Sequence, residues 1–350
     1  MKYNFFLMGL CLCGLFTACK PDFNLNAPYK DVPVVYGILN YQDSINYVKI
    51  YKGFQAKDGS AFIDAQNPDS IYYYNDIIVV LEEYDANDKR TTRPDIPLNF
   101  THDFPRDSGI FYYDAERIIY FTLETIKKEM SYNIKITNKH NKNITQGKTL
   151  IVNDFWIANN SSMMNLVSPT ASITFTAAPN AAENGYEIHV NFKYFEVDIQ
   201  TKQVLKIDKI TKNICPHVGE IFSVNKQNEL YKVFTSTFYE DIATHVKPNP
   251  NVFRYAGTPT SSACIEVEGW AVGDALFNFL LSNKPTSSFI QINDTYTNLT
   301  ASEGMVYGFF SSRVRSPKRE LGITRASEDS LVLGSKTRHL NFRPWIEYKP

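Results

Sequence analysis

Residues 186–194 constrain the fold more than any other stretch of this sequence. Tyr186, Ile188, Val190, Phe192 and Tyr194 alternate with Glu187, His189, Asn191 and Lys193. Successive side chains of a strand point to opposite faces, so the pattern specifies one apolar and one polar face. A sheet wetted on one side is characteristically antiparallel. Val204 to Ile210 predicts the partner strand, reached through a turn near Gln200-Thr201-Lys202.

Shorter segments of the same kind fill the first part of the chain: Val32 to Leu39, Asn46 to Phe54, Ile77 to Tyr84, Arg117 to Leu123, Tyr132 to Thr137 and Thr149 to Val152. Turn chemistry separates them, as in Lys57-Asp58-Gly59-Ser60 and Asp85-Ala86-Asn87-Asp88. The 22 tyrosines and 24 phenylalanines suit half-buried pleated surfaces. The expectation is a mainly β protein whose residues 32–152 form an immunoglobulin-like β-sandwich. Asn153 to Pro169 marks a composition shift and the expected junction. Beyond it, Leu230, Val233, Phe234, Phe238 and Ile242 form a helical stripe over Asn228 to His245. A second helix is expected from about Val272 to Asn283, with strands at Ala263 to Trp270 and Val306 to Ser311. Residues 153–350 therefore read as an α+β domain, an antiparallel sheet carrying two helices.

The N-terminus predicts an address. Lys2 precedes an apolar run from Phe5 to Phe16, and the small Ala18 stands before Cys19. The run is too short to span a bilayer of about 30 Å, and residues 1–18 read as a secretory signal. The small residue before cysteine resembles a lipobox, with Phe16 where leucine is usual. Cys19 is the expected lipidation site, and residues 19–31 the tether. Lys20 is not the acidic residue that would suggest inner-membrane retention, so the anchor points to the outer membrane, with the periplasmic or surface face left open. Cys11 and Cys13 leave with the signal, so Cys215 and Cys264 remain, either as a disulfide or as two thiols, one buried. A bridge closing that loop would stabilise by about 4 kcal/mol. Acidic and basic residues balance at 37 and 36, which argues against nucleic acid as a partner.

Catalytic patterns are sparse. There is no Gly-x-Ser-x-Gly elbow, and no zinc spacing; Cys215-Pro216-His217 is too sparse for a site. Glu187 with His189, and Glu266 with Glu268, share strand faces, whereas Glu82 and Glu83 must diverge. A solvated polar face accounts for the first two pairs, and no metal or cofactor is implied. Aromatic display is the stronger lead: Tyr72-Tyr73-Tyr74 and Phe111-Tyr112-Tyr113 offer rigid contact area to a partner. Arg313, Arg315, Lys318 and Arg319 make the one basic cluster.

Several pieces resemble the Bacteroidota envelope lipoproteins grouped as domain of unknown function 4249. They are Ala27-Pro28-Tyr29, Val34 to Asn40, Asn180-Ala181, Gly185 to Ile188, Phe238-Tyr239, Tyr296-Thr297-Asn298, and Gly304 followed by Gly308-Phe309-Phe310-Ser311-Ser312-Arg313. The resemblance implies a two-domain, outer-membrane-associated lipoprotein, a companion of TonB-dependent transporters, and carries no activity, cofactor or catalytic residue. Asp43-Ser44-Ile45, Asp69-Ser70-Ile71 and Asp329-Ser330-Leu331 match the O-glycosylation pattern of that phylum, which places Ser44, Ser70 and Ser330 in exposed loops. The function expected is a non-enzymatic binding module, accessory to an outer-membrane β-barrel transporter. The alternatives are an envelope hydrolase acting on glycan or peptide, and a structural envelope component.

Overall fold

The computed structural model describes residues 31–53, 68–102, 118–158, 161–168, 170–182, 185–214, 222–225, 228–283 and 296–348. The fold is mainly β, with two large sheets and few helices. The first part of the chain forms β1 (Val32–Leu39), β2 (Asn46–Gly53), the single turn α1 (Pro68–Ile71), β3 (Ile77–Tyr84), β4 (Ile96–Pro97), β5 (Asn99–Thr101), β6 (Ile119–Thr122), β7 (Ser131–Asn138) and β8 (Ile144–Leu150). Then follow β9 (Met163–Met164), β10 (Thr170–Thr176), β11 (Tyr186–Asp198), β12 (Val204–Ile214), β13 (Phe222–Asn225), β14 (Asn228–Phe234), α2 (Thr235–His245), β15 (Val252–Ala256) and β16 (Ile265–Val272). The last part contains α3 (Asp274–Ser282), β17 (Leu299–Ala301), β18 (Tyr307–Arg315), β19 (Arg319–Ile323), α4 (Arg325–Leu333) and β20 (Phe342–Arg343).

β11 keeps the face assignment of its sequence pattern. Tyr186, Ile188, Val190, Phe192 and Tyr194 are all buried in one core with Phe175, Phe238, Val267 and Leu321. The strand pairs antiparallel with β12, β15 and β16, and its turn to β12 lies at residues 199–203, as expected. Beyond the polar segment the outward positions turn apolar, and Phe195 and Val197 join Tyr255 in a small separate cluster.

A second core holds Val35, Leu39, Ile50, Val79, Leu81, Tyr132 and Ile134, between the β1–β2–β6–β5 part of the large sheet and the five-stranded sheet β17-β8-β7-β3-β4. This is a sandwich, but residues 32–152 do not complete it alone. β17 extends the five-stranded sheet through β8, β18 pairs parallel with β1, and Leu299 and Phe310 enter the core. The junction near 153 therefore divides the chain more sharply than it divides the packing. The reason is hydrogen bonding: β18 bridges β16 on one side and β1 on the other, so one sheet runs through both halves.

Two helix expectations change. Leu230, Val233 and Phe234 lie on β14, paired with β10, and α2 begins only at Thr235. Tyr231, Val233 and Phe234 favour a strand once β10 offers its edge, and that partner is invisible to local periodicity. A helix not expected from the sequence, α4, is capped by Thr324, whose side chain accepts a hydrogen bond from the Ser327 amide.

The divergence expected of Glu82 and Glu83 is realised, and both are buried. Glu82 accepts from Asn133 and Tyr84 and faces Arg90 and Lys135. Glu83 accepts from Arg93 (2.9 Å), Tyr132 (2.9 Å), Lys127 (3.1 Å) and Thr91 (3.1 Å). Burial pushes its pKa up, but these donors outweigh burial and bring it from the ordinary 4.5 to about 2. A depressed carboxylate stabilises fully above its unfolded pKa and loses that contribution as pH falls through its folded one. Glu83 should thus cost the fold about 3 kcal/mol between pH 4.5 and 2. Urea midpoints measured across this window should fall steeply, and Glu83→Gln should flatten that limb; a wild-type limb as flat as the variant's would remove the assignment.

Candidate functional site

The outer face of the large sheet carries the paired groups of the sequence. His189 stands opposite Glu268, and Asn191 opposite Glu266, in the β11–β16 register. His189 Nε2 lies 2.7 Å from Glu187 Oε1, and its ring is 4.5 Å from Trp270. Asn191 Nδ2 donates to Glu266 Oε1 at 3.0 Å, and Lys318 Nζ reaches the same oxygen at 3.2 Å. Arg315 pairs with Glu268 and its guanidinium lies over Trp270. Burial pushes the Glu268 carboxyl up, but the hydrogen bond and charge of Arg315, with the charge of Lys318, hold it below its usual range. Glu266 and Glu268 are already matched to cations on this face. The basic cluster is thus partly spent on the sheet itself.

The aromatic display is corrected. Tyr72 and Tyr73 are 0% and 2% exposed. Tyr72 packs against Tyr51 and Tyr74, and Tyr73 donates to Asp31. Tyr74 is half-buried, with φ +48°. Alternating patterns cannot distinguish a tyrosine presented outward from one turned into the core, because both sit beside turns. Tyr112, Tyr113, Cys19 and Cys215 lie outside the described residues. Cys264 is fully buried, and burial raises its thiol pKa to about 12. Ser44 sits on an exposed turn, whereas Ser70 and Ser330 are half-buried on α1 and α4, and Ser330 Oγ donates to Ala326 O. Arg313 is exposed and lines a recess of about 250 Å³ with Tyr36, Tyr47 and Ile119.

A recess of about 560 Å³ lies at the seam of the two cores and is lined by Asp85, Asp88, Lys148, Asp274, Tyr296 and Asn298. Its wall explains a set of residues that sequence reasoning noticed without assigning. Asn298 Nδ2 donates to Phe310 O (2.8 Å) and Lys148 O (3.2 Å), while its Oδ1 accepts from Phe310 N (2.9 Å). Ser311 Oγ accepts from the Leu276 amide in the first turn of α3, substituting for a side-chain cap that Gly273 lacks. Ser312 Oγ donates to Leu150 O and accepts from the Val152 amide. Asn180 Nδ2 donates to Ile151 O. These residues clasp β8, β18, α3 and the 150–152 segment together. They are structural.

No family model matches the chain. No curated protein matches it either.

Among the described residues, no group of histidine, cysteine and carboxylate side chains could hold a metal ion, and no helix is long and apolar enough to cross a membrane. Neither histidine nor cysteine lines the seam recess, the Arg313 recess or a third one beside β15. The third recess belongs to the apolar end of the outer face. Next to that end, β12 pairs with β11 alone among the described strands, and its other edge carries no described strand. Val204, Leu205 and Ile207 are exposed there, the last two at 57% and 60%.

Proposed function

We propose that this chain is a lipid-anchored envelope protein of the outer membrane that serves as a non-enzymatic interaction module for a β-barrel transporter. The observation that carries the interaction is the edge of β12 that carries no described strand. An unpaired edge bearing a row of apolar side chains is a template for strand addition by another chain, and natural proteins otherwise blunt such edges. Lys206 between Leu205 and Ile207, Lys209 beyond them and the bulge at Leu205 limit promiscuous pairing. Cys19, the signal before it and the resemblance to envelope lipoproteins support the address. Glu266 and Glu268 are held by Lys318 and Arg315 and line none of the three recesses, which supports binding over hydrolysis because a general acid and base must reach a substrate in a cleft.

The test is photocross-linking in intact cells from a probe placed at Ile207, with Ser44 as an exposed control position. Ile207 is expected to capture an outer-membrane barrel that Ser44 does not, and Leu205→Lys is expected to abolish the product. Recovery of no barrel from Ile207 across repeats would overturn the reading. Metabolic labelling with a fatty acid, lost in Cys19→Ala, checks the anchor separately.

A further inference from the structure

The recess beside β15 has a volume of about 350 Å³ and is walled by Phe253, Tyr255 and Tyr348, with Lys202, Arg343 and Glu347 around it. Three elements converge to build it. β15 supplies Phe253 and Tyr255 from alternate positions of one face. The C-terminal strap follows β20, whose parallel pairing sets Arg343 opposite Tyr255. Trp345 fixes that strap by donating from its indole to Thr258 O (3.1 Å) and from its amide to Glu328 (2.7 Å). Lys202 sits in the β11–β12 turn with φ +60°, held by Asp198, whose carboxylate accepts from the Gln200 and Thr201 amides.

What sets this recess apart is how its cations are held. Elsewhere on the same face Arg315 and Lys318 are paired with carboxylates. Arg343 instead lies over the Phe253 ring at 4.8 Å, and Lys202 over the same ring at 5.6 Å, with no salt bridge to either among the described residues. A π face positions a cation without neutralising it, so both retain their attraction for an anion. Among the lining residues Lys202 and Arg343 against Glu347 leave one net positive charge, with Asp198 of the turn acting on Lys202 from outside the lining. The Tyr255 phenol is raised by burial first and by the charge of Glu347 next, with Arg343 opposing, so both charges bear on the same space.

The polar groups narrow the ligand further. The hydroxyls of Tyr255 and Tyr348 have no hydrogen-bond partner among the described residues, and Glu347 adds an acceptor. An aromatic acid would satisfy the cations and the rings but leave these groups facing apolar surface, at a cost. A pyranose has hydroxyls for them and an apolar C–H face for Tyr348. Pockets of roughly 300 Å³ and upward hold small ligands. We propose that this recess is a binding site for an acidic sugar, a pyranose whose single carboxylate is bound by Arg343 and Lys202. The site stands independently of the partner that docks on β12.

The experiment titrates the purified chain with D-glucuronate and with a trigalacturonate, using glucose and benzoate as controls, followed by saturation-transfer NMR and calorimetry. Saturable binding of the uronates is expected, with glucose weaker by roughly tenfold or more, because the charge-assisted hydrogen bonds are lost. Arg343→Gln and Lys202→Gln should each weaken uronate binding by about tenfold without shifting the melting temperature, since both side chains are exposed. Raising the salt concentration should weaken binding to the unaltered chain. Absence of saturable uronate binding, equal binding of glucose, tighter binding of benzoate, or indifference to both substitutions would each overturn the site. These assays contain no partner protein, so their failure leaves the cross-linking result untouched.

Discussion

Gly308→Ala is expected to leave little folded protein. Gly308 has φ +93°, and a Cβ built on it would lie 1.9 Å from the carbonyl oxygen of Val35, its register partner on β1. The obstacle is backbone, so no side-chain rotation relieves it; β1 and β18 must separate where they join the two parts of the large sheet. Positive φ adds about 1–3 kcal/mol of strain for a non-glycine residue. With the lost pairing the total should reach about 4 kcal/mol or more, a large share of the 5–15 kcal/mol that holds an ordinary domain. Gly304→Ala is the matched control. It too has positive φ, +78°, but its nearest neighbour would be Asp31 O at 3.7 Å, an ordinary contact. Gly304→Ala should cost about 1 kcal/mol and keep a cooperative transition. Soluble yield and urea midpoints compare the two, and equal losses would show that close approach to β1 is not the cause.

Arg254→Met should produce the second large effect. Arg254 is 2% exposed, and it alternates with Phe253 and Tyr255, so its side chain enters the opposite face of β15. Its Nε and Nη2 contact Glu196 Oε1 at 2.9 and 2.8 Å, Nη1 donates to Leu340 O at 2.6 Å, and Nη2 donates to Lys247 O at 2.8 Å. One guanidinium thus fastens β11, the segment after α2 and the turn before β20. Methionine restores volume but strands a largely buried carboxylate and two carbonyls. Removing one partner of such a pair costs about 3–5 kcal/mol. Arg254→Lys should recover only part, because an ammonium cannot reproduce the planar fork. Chemical denaturation measures the loss, and limited proteolysis around residues 245–251 should show that segment loosening first. A loss under about 1 kcal/mol for Arg254→Met would refute the fastening role.

How far the sequence carried this reading depends on whether the signal was local. The face assignment of Tyr186 to Tyr194, the span Val32 to Leu39 and the opposed directions of Glu82 and Glu83 all follow from period two, and all appear in the fold. Leu230 to Phe234 misled because its strand is decided by β10, far earlier in the chain. Tyr72 and Tyr73 misled because a segment without regular structure that enters the second core leaves no periodic trace. Asn298, Ser311 and Ser312 were legible as a pattern but not as a clasp, since their partners on β8, α3 and the 150–152 segment are remote in sequence. The β15 recess was equally hidden: Lys202, Phe253 and Arg343 converge only after three elements have packed.

The parallel pairing of Val34 with Tyr307 has a consequence in time. β1, made early, must wait for β18, which follows it by about 270 residues, before its second edge is covered. Contacts of such long sequence separation form late, and the chain spends that interval with an unpaired edge. A product truncated before β17 would therefore be no half-protein. It would retain the strands of the first core without Leu299 and Phe310 to close it, and quality-control proteases should clear it. The chain order itself acts as a check on synthesis, because only a molecule extended through β18 can seal the open edge of β1.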